Sequence, residues 1–234
     1  MKRLQHFNLF DLIMLISVCA FFLSCVFTSL QTARTMEPGQ GEISAGYMQL
    51  RSIEEFSEDP VQLIGINARV GIADNFDAGI AHSFDITKDT ENMGNTLWGD
   101  VKYQFSNKAN ENKKLTFSSG LIKGYVYDSD VQSHITSLPL YFSVPVNSRF
   151  TPTLLYRYRL GSENFFPNSD SFDNANHLFA LGIEYYLKEP DPMKWVPKFA
   201  FSLGTLQDFG SDSDDSGSFM FNFGLKIESP FGNK

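Results

Sequence analysis

Cysteine is missing from everything after residue 25. Both cysteines, Cys19 and Cys25, lie in an apolar N-terminal stretch, so the body of the chain holds no disulfide framework and no thiolate-ligated zinc. Positive charge is in deficit: 19 Lys and Arg face 27 Asp and Glu, a net charge of -8, which argues against non-specific nucleic-acid binding. Histidine is scarce, and no nucleophile, base and carboxylate stand in a pattern that brings them together. The apolar run from Leu12 to Phe27 is short for a membrane-spanning helix, and no helical periodicity of consequence follows it. What the chain has in excess is Phe, 23 residues in 234, most of them in short runs that alternate apolar with polar.

Lys2 and Arg3 precede the apolar run, the order of a signal peptide, with Asp11 an awkward charge at its start. The run leads to Leu23-Ser24-Cys25. A small residue before a cysteine at that place suits lipoprotein processing, although Phe22 stands where an aliphatic residue is usual. An N-terminal anchor helix is the alternative. This reading divides the chain into a signal segment at 1–24, a lipid-attachment Cys25 with a periplasmic linker at 25–40, and a barrel at 41–234. Removing 1–24 takes away Lys2, Arg3 and Asp11 and leaves a net charge of -9.

From residue 41 the period is two. Phe219, Phe221, Phe223, Leu225 and Ile227 alternate with Met220, Asn222, Gly224 and Lys226, and only a strand sends successive side chains to opposite faces. Ile66, Ala68 and Val70 alternate with Asn67 and Arg69. Phe76, Ala78 and Ile80 face away from Asp77, Gly79 and Ala81, and Val101 and Tyr103 from Asp100 and Lys102. Tyr156 and Tyr158 oppose Arg157 and Arg159; Ile183 and Tyr185 oppose Glu184. About ten such segments of about 8–12 residues can be read, the length a tilted membrane strand needs. Eight is the alternative count. The first strand, around Ile43 to Leu50, is weak, and the fifth, Leu115 to Tyr127, puts Lys123 on its apolar face, which predicts a bulge or an early end.

A soluble sandwich turns such apolar faces inward; a membrane barrel turns them out to lipid. Three features favour the barrel. The polar faces mix Gly, Ala and Ser with charges, which suits a crowded interior. The connections are expected to alternate long and short, as outer-membrane loops and turns do. Charge follows the same partition: the odd connections total -14 and the even ones +2. The expectation is an all-β, closed, antiparallel, up-and-down transmembrane barrel of ten strands. An even count leaves both chain ends on one rim, periplasmic if Cys25 carries a lipid.

The run Gln31-Thr32-Ala33-Arg34-Thr35-Met36-Glu37-Pro38-Gly39-Gln40 resembles the start of a group of uncharacterised bacterial outer-membrane barrel lipoproteins. In these a Cys is followed shortly by Q-T-A-R-T-L-x-x-G, Met36 standing here for the commoner Leu. Gly71 to Asp77 and Leu138 to Phe142 resemble segments of the same group. The resemblance implies an outer-membrane barrel and transfers no activity. The last residues, Phe231 to Lys234, depart from the terminal aromatic common in such barrels, which leaves recognition by the barrel-assembly machinery to the strand Phe219–Ile227.

Candidate chemistry is thin. His82 and Ser83 are adjacent, so a strand sends them to opposite faces; His134 and His177 fall near strand ends. Asp212, Asp214 and Asp215 form an acidic stretch that could hold Ca²⁺ but lacks the EF-hand spacing, and a solvated loop is the plainer reading. No metal site or cofactor is expected. Arg69, Asp77, Asp100, Lys102, Arg157, Arg159, Glu184 and Lys226 should project into the lumen, either as a charged path or as a plug of salt bridges. Barrels near eight strands fill with side chains, and aqueous channels need about 16–18 strands, so a mostly occluded lumen is expected. The leading reading is a non-enzymatic outer-membrane barrel with a structural, surface-interaction or small-solute role, meeting outer-membrane lipid and lipopolysaccharide. The alternatives are a narrow channel, a barrel enzyme acting on lipid or peptide, and a lipid-anchored periplasmic sandwich. Oligomeric state is left open.

Overall fold

The structure, a computed structural model, describes residues 31–52, 60–87, 94–106, 115–127, 133–160, 176–191, 193–208 and 217–230. Ten strands follow one another: β1 (Gly41–Ser52), β2 (Val61–Ala73), β3 (Phe76–Asp85), β4 (Asn95–Gln104), β5 (Thr116–Tyr127), β6 (Ser133–Ser143), β7 (Phe150–Leu160), β8 (Asn176–Tyr186), β9 (Val196–Asp208) and β10 (Gly217–Glu228). Each pairs antiparallel with its sequence neighbours, and β1 closes on β10 from Glu42↔Glu228 to Ser52↔Ser218. The sheet is a closed up-and-down barrel of ten strands, not eight, and closure leaves no edge. The start of β1 and the end of β10 lie on one rim, here called the termini rim; the other is the loop rim.

Alternation resolves in the sense expected of a membrane barrel. Ile66, Ile80, Leu154 and Leu181 are 52–60% exposed on the outside, whereas Arg69, Asp77, Lys102 and Glu184 are at most 5% exposed inside. A water-soluble sandwich reverses this, because burying apolar surface is its driving force. Aromatics stand near both ends of the outer face and also between them, where Phe201 and Phe221 pack together on β9 and β10. Near the termini rim the rings of Tyr103, Phe105, Phe117 and Phe142 run in a row with centroids 4.7–5.1 Å apart. Near the loop rim Tyr125 packs on His134, and the Tyr156 hydroxyl lies 2.8 Å from His177 Nδ1. Tyr103, Tyr125 and Tyr156, each with an apolar ring and a polar tip, suit the two membrane–water boundaries.

Two expectations need correction. β5 has neither a bulge nor an early end: its offset to β4 and β6 is constant along the strand, and Lys123 is exposed on the outer face. It lies four residues from the end of β5, within reach of the rim for a side chain that buries its stem and keeps its ammonium in water. The one register shift among the described strands lies in β2, between Gly71 and Ala73. The connections do not alternate in length. Those at the loop rim have 8, 9, 5, 15 and 8 residues, and those at the termini rim 2, 11, 6 and 9. The strands run further than periodicity alone marks, and 105–115 is as long as a loop. The charge partition does persist: the loop-rim connections carry -4, -1, -2, -3 and -3, the others -1, +2, +1 and 0. In 187–195 Lys194 Nζ stands 2.5 Å from Asp191 Oδ2, and with the Met193 N–H it holds that carboxyl below the ordinary carboxylate range.

Leu181 sits midway along β8 on the lipid-facing side. Leu181→Arg is expected to lower stability by about 2–4 kcal/mol in urea unfolding from lipid vesicles, with Leu181→Phe near neutral. A solvent-facing Leu181 would give two nearly unchanged curves.

Candidate functional site

The polar faces enclose a lumen with two unlike halves. The half nearer the termini rim holds two ion clusters. In the first, Arg69 of β2 bonds Asp77 of β3 through Nη1 and Asp100 of β4 through Nη2, and Lys102 Nζ lies 3.5 Å from Asp77 Oδ2. Register explains the meeting: Gly79 stands opposite both Arg69 and Asp100, and Asp77 opposite Lys102. A Cβ on Gly79 would lie 2.9 Å from Arg69 Nη2 and 3.0 Å from Asp100 Oδ2, so the missing side chain is what lets the guanidinium cross a strand to its second carboxylate.

The second cluster joins the strands across the closure. Lys198 Nζ lies 2.7 Å from Glu42 Oε2, 2.6 Å from Glu228 Oε2 and 3.5 Å from Glu184 Oε1. Lys226 Nζ lies 2.8 Å from Glu184 Oε1 and 3.3 Å from Glu42 Oε1, and the Tyr186 hydroxyl donates to Glu228 Oε2 over 2.9 Å. Sequence reading placed Glu184 and Lys226 in the lumen but missed Glu42, Lys198 and Glu228. Each stands at a strand end, where too few alternating neighbours define the face. Lys198 shares its face with Ala200 and Ser202, and extending the period by one step finds it.

The segment 31–40 is the larger surprise. Expected as a linker in the periplasm, it enters the lumen and is bonded there: Ala33 and Thr35 are 0% exposed. Ala33 N–H donates to Ser143 Oγ over 2.7 Å, Thr35 N–H to Gln104 Oε1 over 2.9 Å and Met36 N–H to Asp77 Oδ2 over 3.2 Å. Lys102 Nζ donates to the Thr32 and Arg34 carbonyls, both over 3.0 Å. The segment then turns through Gly39, at φ 79°, a value only glycine adopts freely. Its end is clipped to Gly71: Gly39 N–H donates to the Gly71 carbonyl and Gly71 N–H to the Gln40 carbonyl, both over 2.9 Å. A Cβ on Gly71 would stand 2.1 Å from the Glu37 carbonyl oxygen. The stretch that carries the family resemblance is therefore an internal strap, and Gly71 is the gap it fits. Together the strap and the clusters leave a space of only about 30 Å³.

Towards the loop rim the inward faces turn apolar. Met48, Leu50, Leu63, Leu178 and Met220 are 1–8% exposed. Trp98 lies across Gly124, where a Cβ would come within 2.3 Å of the ring, and its Nε1–H donates to Thr96 Oγ1 over 2.7 Å. Arg157 and Arg159 belong to this half, apart from the six other expected lumen charges, because β7 has its inward charges at its loop-rim end. Between the halves Tyr141, Leu155, Asn222 and Ala200 are at most 1% exposed.

Ser83 points inward, fully buried, and His82 outward, with Nε2 against the Tyr127 hydroxyl, so the adjacent pair is split as expected. His134 and His177 lie on the outer face near the loop rim. Cys25 and the acidic residues Asp212, Asp214 and Asp215 lie outside the described residues.

No protein-family model matches the chain, and comparison with curated proteins gives no match. Among solved structures it is similar to the N-terminal β-barrel domain of Pseudomonas aeruginosa OprF, at 15% identity over 82% of this chain and 99% of that one, TM-score 0.33. It is similar to the KdgM porin, at 9% identity over 81% and 99%, TM-score 0.43. It is also similar to the outer membrane protein OprG of Pseudomonas aeruginosa, at 12% identity over 86% and 100%, TM-score 0.35.

Arg69→Met leaves Asp77 and Asp100 in the lumen without their shared guanidinium. It is expected to destabilise the barrel by about 3–5 kcal/mol, read as a fall in the urea midpoint in vesicles. Gly71→Val collides with the strap backbone. Trypsin should then cut rapidly after Arg34 while the barrel still resists SDS until heated; equal protection of Arg34 in both proteins would mean the strap does not depend on that gap.

Proposed function

We propose that the chain is a bacterial outer-membrane β-barrel protein, exported by the segment 1–24, lipidated on Cys25, with both ends in the periplasm and its lumen closed from that side. Its role on this reading is surface interaction or the holding of a small solute, without catalysis. The observation that carries it is the strap. A segment bonded across the lumen at Ser143, Gln104, Asp77 and Gly71 stands where an open pore needs water. The ion clusters add to the closure, since each buried charge is met by an opposite one and little is left to solvate a passing ion. The acidic loop rim then faces outward, suited to meet lipopolysaccharide phosphates through bridging divalent ions.

A narrow channel is the second reading, favoured by the charged lining that would be uncovered if the strap withdrew. Planar-bilayer recording separates the two. The native protein is expected to stay closed and Gly71→Val to show conductance; sustained conductance from the native protein would reject the closed reading. Metabolic labelling with palmitate should mark the native chain and be absent from Cys25→Ser, and labelling of both would reject lipidation at that residue.

A further inference from the structure

The outer wall of the barrel carries charge of one sign and at one end. Among the described strand residues, the charged side chains on the outer face are Arg51 of β1 and Lys123 of β5. Both are basic and both lie in the half nearer the loop rim. The carboxylates of Glu42, Asp77, Asp100, Glu184 and Glu228 are spent on partners inside the lumen. Lys123 is the deeper of the two outward cations. Its side chain is exposed, and among the described residues no carboxylate lies within ion-pair reach of its ammonium. A lysine on a lipid-facing wall stretches its stem towards the boundary. At that depth the anions within reach are lipid headgroups, which pair with such side chains.

Register surrounds Lys123 with a seat instead of a smooth wall. Gly99 of β4 stands opposite it on one side and Thr136 of β6 on the other. A Cβ on Gly99 would meet nothing within 4 Å, which leaves a notch beside the lysine stem. Tyr125 lies two residues nearer the rim on the same face and packs on His134, its partner on β6. An ammonium, a phenol and a threonine hydroxyl are thus gathered on two adjoining strands, and each can donate a hydrogen bond. The connections beyond this rim are all acidic. An anion seated here has a basic patch below it and, above it, carboxylates that bridging divalent ions can link to it.

We propose that this patch seats one phosphorylated lipid, its phosphate monoester on Lys123 with Tyr125 and Thr136 donating beside it, and its first carbons in the notch over Gly99. A monoester suits the seat better than a diester, because it presents close to two charges, about -1.5 to -2, and three acceptor oxygens. The inference rests on the outward loop rim proposed above only for which leaflet supplies the lipid. Detergent micelles have no leaflets, so a failure there counts against the seat and not against the orientation.

The test is native mass spectrometry of the full chain in non-ionic detergent micelles at mildly alkaline pH, titrated with dimyristoyl phosphatidic acid or dimyristoyl phosphatidylcholine. The one-to-one adduct with phosphatidic acid is expected to form about ten-fold more tightly, the worth of a charge-assisted hydrogen bond. Lys123→Met should lose about that factor for phosphatidic acid and none for phosphatidylcholine, and Lys123→Arg should retain most of it. Gly99→Leu keeps the ammonium but fills the notch, and should weaken phosphatidic acid as well. Equal affinity of the native protein for the two lipids, or equal affinity of native and Lys123→Met for phosphatidic acid, would overturn the proposal. Unchanged binding by Gly99→Leu would remove the notch from it. Each variant places an apolar or basic side chain on a wall that already holds both kinds, and migration in SDS before and after heating reports its folding. The native preference between the two lipids decides the matter where a variant does not fold.

Discussion

A charge brought inside a ten-stranded barrel loses most of its water, and the idealised loss for a carboxylate or ammonium amounts to tens of kcal/mol unless a countercharge stands within contact. Much of the lumen follows from that requirement. Arg69 must reach two carboxylates on two neighbouring strands, so the residue between them is Gly79. Lys198 and Lys226 must share Glu42, Glu184 and Glu228, so β1, β8, β9 and β10 are tied together at the seam where the sheet closes. Closure of the barrel and neutralisation of its interior are in this region one event: the β1–β10 pairing is what brings Glu42 within reach of Lys226.

The strap extends the same logic to the backbone. A peptide segment drawn into a low-dielectric lumen carries N–H and C=O groups that all need partners. Here they find Ser143, Gln104 and Asp77 for the N–H groups and Lys102 for the carbonyls. Lys102 serves both systems, within 3.5 Å of Asp77 and donating to two strap carbonyls, so strap and ion cluster stabilise each other. The apolar half has no share in this network. The boundary between the halves, at Tyr141, Leu155 and Asn222, separates a region ordered by charge from one ordered by shape.

Much of the fold was legible in the sequence because a strand's side chains alternate with a period of two and the two sides of a barrel wall face opposite solvents. Arg69, Asp77, Asp100, Lys102, Arg157, Arg159, Glu184 and Lys226 each carry a strong polar signal within an alternating run, and all eight lie on the lumen side. Where that signal thins, reading fails. Glu42, Lys198 and Glu228 stand at strand ends with few alternating neighbours. Lys123 sits on the outer face near a rim, where a long stem makes a charge tolerable and no bulge is needed. Leu63 and Leu178 are apolar residues among apolar neighbours, so alternation sets their face without saying that they line the apolar half of the lumen.

Sequence alone determined the alternation, about ten strand segments and which residues share a face, since these depend on neighbours along the chain; the structure fixed the count at ten and turned the charged faces inward. Tertiary structure decided which charges meet, where 31–40 runs and where the lumen changes from polar to apolar. Those depend on register and closure, which bring together residues as far apart as Glu42 and Glu228 or Ala33 and Ser143. A local period holds no information about a partner more than a hundred residues away.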